Sequence, residues 1–130
     1  MIIRRKSKIK RFFYNVTDGV KNLIKWAPVI WKDRDWDQAF LYEIMRHKLK
    51  LMEDYFYSDH TMCVDAKKRA EEIKTCRILL DRILKEEYIE FDPNKCPYPW
   101  DYFKNEAYML KQDIDYLFKI MSKRSSDWWD

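Results

Sequence analysis

Glycine is nearly missing from this chain: Gly19 is the one glycine in 130 residues. Tight β-hairpin turns and phosphate-cradling loops both draw on glycine, so both are disfavoured. Cysteine is sparse and odd in number. Cys63, Cys76 and Cys96 share no close spacing, which fits reduced thiols in a cytoplasm better than a disulfide framework. Histidine is limited to His47 and His60. No apolar run approaches the length of a transmembrane span. The charged beginning is not followed by the apolar stretch of a signal peptide, so none is expected.

What is present favours helices. Hydrophobic residues make up 47% and charged residues 37% of the chain, a mixture that fits long amphipathic helices joined by short connections. The length suits a single domain, 1–130, able to bury a core without staples. The charge is uneven. Arg4, Arg5, Lys6, Lys8, Lys10 and Arg11 precede the first acid, Asp18, and exceed the whole chain's net charge of +4. The basic excess therefore belongs to an N-terminal arm, about 1–11, and the remainder is slightly acidic.

Four helical segments follow from apolar spacing. The first covers about 7–26, with Phe12, Phe13, Val16, Val20, Leu23 and Ile24 on one face. Gly19 is a candidate kink, and Pro28 argues against helix beyond it. The second starts near Asp35 or Asp37 and carries Phe40, Leu41, Ile44, Met45, Leu49, Met52 and Phe56. The third runs from about Asp59 or Thr61 to Glu87, with a seam of Ala66, Ala70, Ile73, Cys76, Leu80, Ile83 and Leu84. Three prolines within 92–99 mark a loop. The fourth is the most regular: Trp100, Phe103, Ala107, Leu110, Ile114, Leu117 and Met121 alternate by three and four. The expected fold is all-α, an antiparallel three- or four-helix bundle, oligomeric through its wide apolar faces.

The densest chemistry lies in Trp31-Lys32-Asp33-Arg34-Asp35-Trp36-Asp37. One reading is architectural: Asp35 or Asp37 caps the second helix, Trp31 and Trp36 wedge into the bundle, and Arg34 pairs with an acid. The other is a binding site. Lys32 and Arg34 meet a phosphate, a tryptophan stacks on a base, and Asp33 or Asp37 reads a base or ribose edge. Arg46 and Arg77 are candidates to join them across two helices, although both sit among acids that would pair with them. Trp128 and Trp129 form either a lid or a subunit interface. The basic arm followed by Phe12-Phe13-Tyr14 has the look of a nucleic-acid or membrane-surface patch, or of a solvated helix end.

Metal sites fail on spacing. Glu43 and His47 are one residue too far apart for a bundle di-metal motif, and only His60 and Cys63 form a close zinc-type pair. No nucleophile stands in a recognisable setting, so neither enzyme activity nor a cofactor is expected.

Lys21 to Trp26, the 31–37 motif, Lys48 to Glu53, Lys74 to Leu79, Asp113 to Met121 and the closing Trp128-Trp129-Asp130 together resemble a widespread family of small bacteriophage proteins. The resemblance spans most of the chain and implies a phage origin and a host bacterial cytoplasm. It implies no particular activity. With the motif, it leads to the expectation of a non-catalytic anti-defence protein that sequesters a nucleotide-type immune signal. The alternatives are an antagonist that binds a host defence enzyme, and a nucleic-acid-binding accessory protein using the basic arm. Expected partners are a small nucleotide, further copies of the chain and a host protein, with nucleic acid less favoured and no membrane.

Overall fold

The computed structural model describes residues 2–86, Tyr88, Asn94 and 99–129. All regular structure among them is helical: α1 (Ile2–Ile30), α2 (Gln38–Tyr57), α3 (Ala66–Lys85) and α4 (Pro99–Arg124), closed by a short 3₁₀ turn, Ser125–Asp127. None of these helices is long and apolar enough to cross a membrane. Most of the loop expected over 92–99 lies outside the described residues.

The chain divides into two compact units, Met1–Asp37 and Gln38–Asp130. The sequence length suits one domain, but the first unit is a single helix and a turn, which is too little to enclose a core of its own. α1 runs further than its sequence predicts. Pro28 sits in the last turn, where its missing N–H costs one hydrogen bond, and the ladder continues as Trp31 N–H donates to the Ala27 carbonyl at 3.0 Å. Gly19 does not break the helix, and nothing crowds it.

The second unit is an antiparallel three-helix arrangement. Arg46 pairs with Asp81, Arg77 with Glu53 and Tyr57 with Glu71, so α2 and α3 run in opposite directions. Arg82 meets Asp113 at 3.2 Å and Arg124 meets Glu72 at 3.8 Å, which reverses direction again between α3 and α4. α3 is the central element. Its Ala70, Ile73, Cys76, Leu79, Leu80 and Ile83 are all buried, against Leu49 and Phe56 of α2 and Leu117 of α4. α3 starts later than the spacing predicts because hydroxyls claim the preceding backbone. Ser58 Oγ accepts from His60 N–H at 3.3 Å and Thr61 Oγ1 from Cys63 N–H at 3.2 Å, which holds turns in place of a helix. At the other end Glu86 adopts a left-handed conformation (φ 54°) and donates its N–H to the Arg82 carbonyl.

Polar groups fasten the helices together. Glu53 and Asp113 are buried, at 4% and 6% exposure, and each receives an arginine from α3. Tyr88 approaches Asp113 while the Arg82 guanidinium lies over its ring, 5.8 Å from the centroid. Burial, and then that carboxylate, push the Tyr88 phenol well above its usual range. Tyr57 donates its phenolic proton to Glu71, and this hydrogen bond, with some desolvation, raises its pKa to about 12. The folded state therefore holds this proton more tightly than the unfolded chain. The stabilisation is complete below the ordinary phenol pKa near 10 and disappears as pH rises through about 12. A difference absorbance titration of the protein against its Tyr57→Phe variant is expected to show one phenolate appearing near pH 12 rather than near 10.

Candidate functional site: a cationic cleft on the third and fourth helices

The 31–37 segment is a pair of turns at the end of the first unit. Lys32 N–H donates to the Val29 carbonyl, Asp33 N–H to that of Ile30 and Asp37 N–H to that of Arg34. Arg34 Nη1 donates to the Asp33 carbonyl at 2.7 Å. The side chains project outward: Trp31 is 86% and Trp36 83% exposed. Neither tryptophan is the buried wedge of the architectural reading, because a single helix offers nothing to wedge into. Trp31, Lys32, Asp33, Arg34, Trp36 and Asp37 are each exposed. They line none of the clefts described below.

Arg46 and Arg77 are brought together across α2 and α3, and both are engaged by the protein's own carboxylates. Arg46 Nε pairs with Asp81. Arg77 pairs through Nε and Nη2 with Glu53 and donates from Nη1 to Asp81 at 3.0 Å. Two cations meet two anions, so the cluster is formally neutral. An arriving phosphate would have to displace a buried carboxylate, Glu53, from its partner. The pairing with Glu53 drives the Arg77 pKa still higher, as expected of a clamp. The geometry makes these arginines interhelical fasteners.

The tail separates the two terminal tryptophans. The 3₁₀ turn swings Trp128 into the core, where it is 7% exposed and donates Nε1–H to Glu72 at 3.0 Å. Trp129 points outward, 70% exposed, and lines a cleft of about 360 Å³ with Met62, Cys63, Val64, Asp65, Arg69 and Asp127. Trp128 is thus part of the fold, whereas Trp129 keeps a place beside an open cleft.

A different surface has the charge an anion needs. Thr75 and Glu72 of α3 and Tyr116, Lys119, Ile120, Lys123 and Arg124 of α4 enclose a cleft of about 310 Å³. Its lining sums to +2. The lone acid, Glu72, is already shared by Arg69, Arg124 and Trp128. Lys119 and Lys123 have no carboxylate partner among the described residues, so their ammonium groups are free to meet a ligand. Tyr116, 51% exposed, offers a ring face beside them. The volume is at the low end for small-molecule sites, enough for one phosphorylated nucleoside.

No protein-family model, curated protein or solved structure matches this chain.

The cleft was not singled out in the sequence, although a signal exists. Tyr116, Lys119 and Lys123 recur at three and four, which sets them on one helical face. No group of three metal-type ligands gathers among the described residues. Cys76 is fully buried, and desolvation raises its thiol to about 11, which leaves it protonated and inert at neutral pH.

Proposed function

We propose that the protein is a non-catalytic binding protein that sequesters an anionic, nucleotide-type ligand in the cleft of Tyr116, Lys119, Lys123 and Arg124. The supporting observation is a cationic cleft with two lysines that have no carboxylate partner among the described residues, beside an aromatic side chain. Converging cations raise the local concentration of an anion, and a fork such as Arg124 grips phosphate oxygens directionally. The motif-based resemblance to phage proteins supplies the setting: a host bacterial cytoplasm, with a host immune nucleotide as the signal withheld. Ile78 and Phe118, 43% and 47% exposed on α3 and α4, favour a homo-oligomer, in which a second copy would cover apolar surface.

A thermal-shift screen of cyclic di- and trinucleotides, ADP-ribose derivatives and linear nucleotides tests the reading. Binding to the native state raises Tm, by about 2.7 kcal/mol of stabilisation at a hundredfold excess over Kd. The Lys119→Glu, Lys123→Glu double variant is expected to fold normally and lose the shift, and the ligand is expected to be recovered intact. A shift retained by the double variant but lost in Arg34→Ala would move the site to the 31–37 turns. A flat panel would overturn the reading.

A second reading rests on a separate observation. Trp31 and Trp36 are almost wholly exposed, flanked by Lys32 and Arg34, a composition typical of binding hot spots. It describes an antagonist that docks these side chains on a host protein.

A further inference from the structure

We propose that α1 is a membrane-surface helix that lies along an anionic lipid bilayer with its apolar face in the acyl boundary. At 100° per residue, Ile9, Phe13, Val16, Val20, Leu23 and Ile24 fall within a sector of about 100°. Lys8, Lys10, Arg11, Lys21 and Lys25 fall on the opposite side. From Lys8 to Lys25 the cations keep off the apolar sector, whereas nearer the start Arg5 and Lys6 lie at its edges. The apolar side chains face solvent: Phe13 is 64%, Leu23 70% and Ile24 68% exposed. Within its own unit α1 has no second helix to cover them.

Charge selects the occupant of this face. The sequence of α1 holds eight cations and one anion, Asp18, for a net +7. A second copy would set +7 against +7. The positions beside the seam carry lysines on both strands, where paired helices need opposite charges. Nucleic acid would satisfy the cations yet leave six bulky apolar side chains in water. An anionic bilayer satisfies both faces at once: headgroups meet the lysines while acyl chains receive the phenylalanine, valine, leucine and isoleucine side chains. Phe12 borders the apolar sector on the Leu23 side, and Trp26 lies further round on that same side. Trp31 follows directly after the helix, and exposed indoles suit the headgroup level. This mode of attachment needs no spanning segment, in keeping with the absence of one among the described helices.

Co-sedimentation of the full chain with vesicles tests the assignment. Binding is expected on mixed phosphatidylserine–phosphatidylcholine vesicles and at least about tenfold weaker on phosphatidylcholine alone. Added salt should weaken it further. Two variants separate the faces. Leu23→Asp with Ile24→Asp removes the insertion surface, and Lys21→Glu with Lys25→Glu removes the headgroup contact. Each is expected to lower vesicle binding about tenfold or more while the cooperative melt of the 38–130 unit is unchanged. A blue shift of tryptophan emission on anionic vesicles, absent on neutral ones, would agree. Failure to sediment with anionic vesicles overturns the proposal. Undiminished binding of the Leu23→Asp, Ile24→Asp variant also overturns it, as does tight binding to single-stranded DNA with none to vesicles.

Discussion

Trp128→Ala is expected to destabilise the 38–130 unit by about 3–5 kcal/mol, the range for removing a large aromatic from a core. The indole is 7% exposed and packs into the cluster formed by α2, α3 and α4. Its loss leaves a cavity at the end of α4 and takes from Glu72 the Nε1–H donor at 3.0 Å, leaving it with Arg69 and Arg124. For a unit of this size the change corresponds to a fall in Tm of roughly 10–20 °C or more. Trp129→Ala removes the same side chain from an exposed position and is expected to leave Tm within about a degree or two. Thermal denaturation followed by circular dichroism compares the two. Equal effects would show that the docking of the tail, rather than the burial of one indole, supplies the stability.

Glu53→Ala is the second large effect. Glu53 is 4% exposed and takes both Nε and Nη2 of Arg77. Removing it leaves the guanidinium, itself mostly buried, with Asp81 as its one remaining carboxylate. Breaking such a pair from one side costs about 3–5 kcal/mol, because the surviving charge stays desolvated. Replacing both partners, Glu53→Leu with Arg77→Met, is expected to recover most of that loss, since an apolar pair of similar volume avoids the desolvation altogether. Urea titrations of the single and double variants read this directly. A double variant as unstable as the single would mean that the arginine stem, through its packing, matters more than the ion pair.

The buried faces of α2 and α3 were legible in the sequence because burial there follows the helical period. Leu49, Phe56, Ala70, Ile73, Cys76, Leu80 and Ile83 all lie where three-and-four spacing places them. The period cannot say how much of a helix its neighbours cover. Phe103 belongs to the same seam as Leu117, yet it is 60% exposed whereas Leu117 is fully buried. Nor can it assign ion pairs. Arg46 and Arg77 read equally well as an anion grip until Asp81 and Glu53 are seen to occupy them. Trp128 and Trp129 are adjacent and identical in type, so only the 3₁₀ turn decides which one enters the core. The 31–37 cluster drew attention by composition, and composition does not reveal exposure. The lysines of the cleft were obscured because acid–base alternation elsewhere in the chain makes any lysine look paired.

The antiparallel order of α2, α3 and α4 also bears on how the unit forms. Every interhelical fastener joins elements that follow one another in the chain, Arg46 with Asp81, Arg77 with Glu53, Arg82 with Asp113 and Glu72 with Arg124. Among the described residues, only the closing contacts, such as Trp128 with Glu72, bring together residues more than 50 apart, so the entropy of closing large loops is confined mainly to the docking of the tail. Such local topologies cross their folding barrier in microseconds to milliseconds. α3, which touches both neighbours, is the natural nucleus, and substitutions along its buried stripe should slow folding more than they speed unfolding.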